Sequence, residues 1–280
     1  SELWTTFQSI ANKESGNRPQ DLKKYTGEDE VILFEDKFKQ LEIERKDGDF
    51  NLKSGIKELD EAINGFELGE LVVVSGISGE GKTSFLQSLT QNFAEQEIMT
   101  LWFPYEGGMF QFLDKFYQMG KMPKAVIPKR LKERTLEWIE QRIIEAKLKY
   151  GIKVIFIDHL HEIIKWTMLR NSSIELGEIV KDLKDIADRN EILIFLISHS
   201  LKINIDREMR AGDIRDSGFI ENYASIVLYL WRLQNEKGED TSQTVIKITK
   251  NRRMGIRKKI NLNYVNGRFI ELEKLRVNDK

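Results

Sequence analysis

The sequence contains no cysteine, three histidines and only four prolines in 280 residues. The first absence excludes disulfides and thiolate metal sites and suits a reducing compartment. With so little proline and no low-complexity stretch, no flexible linker announces itself. Net charge is also nearly missing: 44 basic residues meet 45 acidic ones, leaving −1. A chain so balanced has no global field for nucleic acid or lipid, so any nucleic-acid surface must be a local patch. No apolar run approaches the length of a membrane span, and no signal-peptide pattern is present. The expectation is a cytoplasmic protein with no membrane partner. Apolar residues make up 40% of the chain and charged ones 32%, enough for one large α/β domain with an appendage.

The most informative stretch runs from Val72 to Phe85, where a β-branched apolar run feeds a turn reading G-x-x-x-x-G-K-T. Gly76, Gly79 and Gly81 allow the backbone to wrap until its N–H groups ring a triphosphate. Lys82 is placed to reach the outer phosphates and the Thr83 hydroxyl to sit on Mg²⁺. A helix starting near Lys82 turns its positive end to the anion. A chance match in a glycine-bearing turn is the alternative, but strand, loop and helix stand in the required order. Gly76, Ser78, Gly79, Glu80, Gly81, Lys82, Thr83 and Ser84 are thus the expected contacts of ATP or another nucleoside triphosphate.

Residues 1–50 differ from the rest. Leu3, Trp4, Phe7 and Ile10 share one helix face, and Phe34, Phe38 and Leu41 mark a second helix over about 33–45. This segment is either an arm that docks on a neighbouring subunit or a cap on the chain's own core. A polar turn, Lys46 to Asp49, sets the boundary with a domain over 51–280. Within that domain a short helix (Ile56, Leu59, Ile63) is stopped by Gly65. Strands are expected at 98–103, 154–158, 192–198, 226–231 and 245–249, and helices at 109–118, 130–149 and 174–189. The strands are short and mostly apolar throughout, as a largely parallel sheet covered by helices on both faces requires. Val265-Asn266-Gly267 reads as a hairpin turn between two final strands.

Several strand ends carry chemistry. Asp158 closes an apolar strand at the edge where such folds bind ligands, positioned to support the metal beside Thr83. Glu106 closes another; if that strand lies beside the phosphate-loop strand, Glu106 faces the γ-phosphate as general base, and otherwise it is an exposed residue before Gly107-Gly108. His199 ends a third and can sense the γ-phosphate by hydrogen bond, although a single histidine is most often only satisfied or solvated. His159 and His161 hint at a metal pair, but no third ligand has a matching spacing, and they read as structural. Lys250 to Lys259 holds six basic residues in ten: either a solvated turn or a set that neutralises phosphate. A second basic run, Lys121 to Arg134, reads as the solvated start of a long helix.

Taken together, residues Leu52 to Leu272 resemble the RecA-like motor domain of replicative hexameric helicases, the bacterial DnaB type, phage primase–helicases and mitochondrial Twinkle. Four segments carry the resemblance: Gly55–Phe66 with the phosphate loop, Phe103–Glu106, Val154–Asp158, and Asp213–Val227, which is similar to the family's D-[IL]-R-x-S-G signature but has Ser225 where the family usually has Asp. The resemblance implies a RecA-like P-loop core, a mostly parallel sheet flanked by helices, with a short helical N-terminal arm. It implies Glu106 as catalytic base, His199 as sensor, Asp158 and Thr83 at Mg²⁺, and Lys250 and Arg252 as the pair whose arginine acts in the adjacent subunit's site. Arg232 and Tyr264 fall where phage enzymes hold the nucleotide base. The loops 163–173 and 201–211 fall at the central DNA-binding loops, with Lys202, Arg207 and Arg210 as phosphate contacts.

The implied function is ATP-driven translocation on single-stranded DNA and 5′→3′ unwinding as a homo-hexamer or other ring, with primase or replisome partners. Nucleoid, phage or mitochondrial-matrix settings fit the same family. The rivals are a filament-forming recombinase-like ATPase and a nucleotide-switched scaffold. Fifty residues cannot hold the upstream helical or primase domain that family members usually carry, so the expectation is either a trimmed motor domain or a minimal member.

Overall fold

The structure, a computed structural model, describes residues 26–27, 30–47, 51–167, 172–199 and 222–272. The chain divides into two compact units, Ser1–Asp49 and Phe50–Lys280. The first holds helix α1 (Phe34–Asp47), whose Phe34 and Phe38 are exposed. The expected helix around Leu3–Ile10 lies outside the described residues, as do Lys202, Arg207 and Arg210 and most of the Asp213–Val227 signature.

The second unit is built on one nine-stranded sheet in the order β3-β2-β4-β5-β1-β6-β7-β8-β9. The strands are β1 (Leu71–Gly76), β2 (Thr100–Pro104), β3 (Ala125–Val126), β4 (Val154–Asp158), β5 (Leu193–His199), β6 (Ile226–Gln234), β7 (Asp240–Asn251), β8 (Lys259–Val265) and β9 (Arg268–Glu271). From β3 to β6 all neighbours are parallel; β6 to β9 form an antiparallel meander. Helices α2 (Lys57–Ile63), α3 (Lys82–Glu95), α4 (Met109–Gln118), α5 (Leu136–Tyr150), α6 (Leu160–Thr167) and α7 (Ser172–Arg189) complete the described elements.

The pleat explains why the central strands are apolar on both faces along most of their length. Alternate side chains leave opposite faces, so Val72 and Val74 of β1 pack with Phe85, Leu89 and Phe93 of α3, while Leu71 and Val73 join the core containing Ile139 and Ile143 of α5 and Val180, Leu183 and Ile186 of α7. Each face is thereby covered by helices, as a parallel sheet demands. At the far edge, Asn266 and Gly267 both adopt positive φ (50° and 84°) between the paired Val265 and Arg268, the two-residue turn that Asn-Gly favours.

Four expectations need correction. The helix expected from residue 130 begins at Leu136, because the Thr135 hydroxyl accepts the Trp138 N–H and caps it; the basic run 121–134 therefore lies in the connection holding β3, not on a helix. Of the loop expected over 163–173, residues 163–167 belong to α6 and 172–173 to the start of α7, and the rest lie outside the described residues. The strand expected over 245–249 spans Asp240–Asn251. Finally, β2 is not next to β1, since β4 and β5 intervene, so the condition set for Glu106 fails as stated. Among the described residues, no helix is long and apolar enough to cross a membrane.

Candidate nucleotide site

The carboxyl ends of β1, β2, β4 and β5 open onto one edge of the sheet, and the loop after β1 lies there. Two glycines are dictated by space and conformation. A Cβ at Gly76 would stand 2.3 Å from the Leu230 carbonyl oxygen of β6, and Gly81 adopts φ 92° where it caps α3. Lys82, almost wholly buried, donates from Nζ to the carbonyls of Gly76 and Ile77 at 2.8 Å each, so its ammonium is held inside the curl of the loop. Burial lowers its pKa, and the charges of Glu106, Asp158 and Glu80 oppose that shift.

Thr83 and Asp158 meet directly. The Thr83 hydroxyl donates to Asp158 Oδ2 at 2.7 Å. Burial pushes the Asp158 carboxyl up to about 6, opposed by the Thr83 hydrogen bond and reinforced by the charge of Glu106. Its second oxygen, Oδ1, is buried with no hydrogen-bond partner among the described residues. A hydroxyl and a carboxylate with one orphaned oxygen, set at a phosphate loop, fit a hard divalent cation such as Mg²⁺.

Glu106 reaches this edge although β2 is two strands from β5 and three from β1. The chain turns over the end of β4 as soon as β2 stops: the N–H groups of Tyr105 and Glu106 donate to the Asp158 carbonyl at 2.7 and 3.1 Å. The Glu106 carboxylate, about half exposed, lies 3.8 Å from Nε2 of His159. His199 is the register partner of Gly76 and so stands beside the loop on the neighbouring strand. Its pKa is lowered by burial and by the Lys82 charge, against a smaller opposing effect of Glu106.

On the other flank, the Arg232 N–H donates to Glu80 Oε2 at 2.6 Å, and the Arg232 guanidinium approaches the space above Gly81. Tyr264 packs on Phe269 at 4.9 Å between ring centroids, and Phe269 meets Phe85 of α3 edge-on at 5.7 Å. Arg232, Tyr264 and the loop are thus together. Lys250 and Arg252 are not: Asn251 pairs with Ile226, and Ile226 pairs with Val72 at the start of β1, the opposite end of the sheet from the loop.

Two further contacts have no signal in the sequence: Lys115 of α4 donates to Ser84 at 3.1 Å, and Glu80 receives the Arg232 N–H. Each depends on a long-range approach that no local spacing records. Phe269 is the cross-strand partner of Tyr264 in the hairpin that the Asn-Gly turn predicts, so that contact is legible in the sequence.

A mostly parallel sheet with a phosphate loop after its central strand, a carboxylate on the strand two places away and a glutamate on the next defines a RecA-like nucleotide-binding domain. The family model for the DnaB-like helicase C terminal domain matches residues 51–136 and 111–271, and the chain belongs to that family. It is 25% identical to Replicative DNA helicase DnaC of Bacillus subtilis (strain 168) over 282 residues, covering 89% of this chain and 60% of that protein. It is 24% identical to Replicative DNA helicase DnaB of Rickettsia bellii (strain RML369-C) over 222 residues, covering 65% and 45%. Among solved structures, an isolated ATPase domain superposes with a TM-score of 0.74 at 18% identity, covering 87% of this chain and 100% of that one. A DnaB-like replicative helicase, from a study of its interactions with primase, superposes with a TM-score of 0.72 at 19% identity, covering 97% and 76%. The chain spans about half the length of the curated relatives it matches.

Proposed function

We propose that this chain is the ATP-hydrolysing motor of a ring-shaped replicative helicase that translocates 5′→3′ on single-stranded DNA. The observation that carries the reading is the convergence of Lys82, Thr83, Asp158 and Glu106 at one sheet edge in a member of this family. In this reading Lys82 binds the outer phosphates of ATP, and Arg232 and Tyr264 hold its base. Thr83 and Asp158 would hold Mg²⁺, whose chemistry is to neutralise phosphate charge. Glu106 takes the proton of the attacking water, a role for which a half-exposed carboxylate held by its backbone over Asp158 is well placed. His199, beside Gly76, reports the γ-phosphate by hydrogen bond. Arg252 serves the site of the next subunit, which makes hydrolysis depend on a homo-hexamer or other ring. Lys202, Arg207 and Arg210 contact the DNA backbone, and a backbone grip suits a motor that must hold every sequence alike. The B. subtilis and Rickettsia relatives are named replicative helicases and one structural neighbour was studied with primase, which supports replisome partners for this chain as well.

Steady-state hydrolysis with and without single-stranded DNA, beside Lys82→Ala as control, tests the reading. The expected result is hydrolysis stimulated by the single strand and abolished in Lys82→Ala. Hydrolysis indifferent to DNA points instead to a nucleotide-switched scaffold, and open helical filaments on DNA in electron micrographs point to a recombinase-like ATPase.

A further inference from the structure

The chain has only three histidines, and the fold gathers all of them at one place. His159 follows β4, His199 ends β5, and these strands are parallel neighbours, so both side chains arise at the same sheet edge. Their ring centroids are 4.4 Å apart, with His161 5.5 and 5.7 Å from the two. The carboxylate of Glu106 arrives from β2, and one ligand atom from each of Glu106, His159 and His199 lies within 4.8 Å of the others. The sequence shows the His159–His161 pair but not the third and fourth groups, which come from strands about 40 and 50 residues away.

We propose that Glu106, His159 and His199 form a binding site for a first-row transition cation of the zinc class, separate from the Thr83–Asp158 pair. Two imidazoles and one carboxylate, with no thiolate, are a donor set for Zn²⁺, Co²⁺ or Ni²⁺, whereas Mg²⁺ and Ca²⁺ prefer oxygen. With metal–ligand bonds of about 2.0–2.2 Å, three tetrahedral donors stand roughly 3.3 Å apart. The His159–Glu106 approach is already 3.8 Å, and the Glu106 side chain, half exposed and followed by Gly107-Gly108, has room to move closer. His159 is nearly buried, and the His161 N–H donates to its Nδ1 at 3.2 Å, which fixes the ring with Nε2 facing Glu106. His199 Nδ1 is buried with no hydrogen-bond partner among the described residues. Three protein ligands leave a fourth position open.

The consequence rests on the proposed function: a cation at this site ties up the carboxylate that would act as base, so zinc inhibits hydrolysis. Cation binding itself depends only on the geometry. The test titrates the untagged, chelator-treated full chain with Co²⁺ alone, without nucleotide, and follows the visible d–d absorption. The expected result is a saturable band with one Co²⁺ per chain, displaced by Zn²⁺. Glu106→Gln and His159→Ala should each weaken it by more than about tenfold, at least the loss that follows removal of an outer-shell partner, while His161→Ala leaves it in place. Should His159→Ala fail to fold, the exposed Glu106→Gln decides alone. No saturable band, a band unchanged in Glu106→Gln, or one lost only in His161→Ala overturns the site. Absent Co²⁺ binding beside intact hydrolysis removes this site and leaves the motor; Co²⁺ binding in a chain that never hydrolyses ATP keeps the site and removes the motor.

Discussion

The Arg252 N–H donates to the Ser225 carbonyl at 2.9 Å, and the Ser225 N–H donates to the Leu71 carbonyl at 2.8 Å. This pair of bonds ties Arg252 to the first residue of β1, while the phosphate loop begins at the last, Gly76. Five residues of strand separate the two ends, about 16 Å at the rise of an extended chain. An arginine side chain cannot cross that distance to its own nucleotide. Its guanidinium is exposed and makes no ion pair among the described residues. Arg252 is therefore either a solvated residue or one that acts on another subunit.

Its neighbour has the opposite fate. Arg253 donates to Glu70 and Glu67 at 2.9 and 2.7 Å and to the carbonyls of Ile63 and Gly65 at 3.1 and 2.6 Å, closing the end of α2 against the entry to β1. Burial raises the Glu70 carboxyl, with the Arg253 charge pulling it back. Arg253→Ala leaves that buried carboxylate uncompensated and should cost about 3 kcal/mol, read as a lower urea midpoint. Arg252→Ala should leave the midpoint unchanged.

Glu106→Gln keeps size and hydrogen bonding but removes the base. Nucleotide should still bind, while turnover falls by roughly 10²–10⁴-fold, the usual contribution of a general base. Equilibrium binding of a fluorescent nucleotide beside steady-state hydrolysis separates the two effects. Turnover near the parent rate would make Glu106 a surface carboxylate.

Within the first unit, Phe34 and Phe38 lie on one stripe of α1 and are 95% and 60% exposed. Apolar residues placed so are suited to a partner surface. Deleting residues 1–45 should lower the native mass at working concentration and leave a folded monomer. An unchanged mass assigns the segment to its own domain.

What the sequence made legible follows from how local each signal is. The strand, loop and helix around Lys82 are contiguous, and the apolar strands ending in Glu106, Asp158 and His199 announce the sheet edge without any knowledge of strand order. The Asn266-Gly267 turn was legible because its chemistry is confined to two residues. Strand order was not: Glu106 reaches the site through a backbone turn over Asp158 rather than by adjacency to β1, and no spacing encodes that. The start of α5 was misplaced because residues 130–135 carry helix-compatible side chains, while the decisive feature is the Thr135 cap. The split between Arg252 and Arg253, adjacent and chemically identical, appears only once the β6–β7 register is known.

On the proposed function, the site is completed across a subunit boundary. Arginine suits that task because its guanidinium stays charged and forks onto two phosphate oxygens as charge builds in the transition state. Arg252→Ala should bind nucleotide and hydrolyse it up to roughly 10³–10⁵-fold more slowly, the range for arginine fingers. The most direct measurement mixes Arg252→Ala with Glu106→Gln, two inactive proteins, and follows hydrolysis against mixing ratio in assemblies verified by native mass. A mixed interface takes Glu106 from one chain and Arg252 from the other, so the account predicts activity that rises from zero, peaks near equal proportions and falls again. Mixed assemblies that form and stay inactive at every ratio, or Arg252→Ala alone hydrolysing ATP at the parent rate, would contradict it.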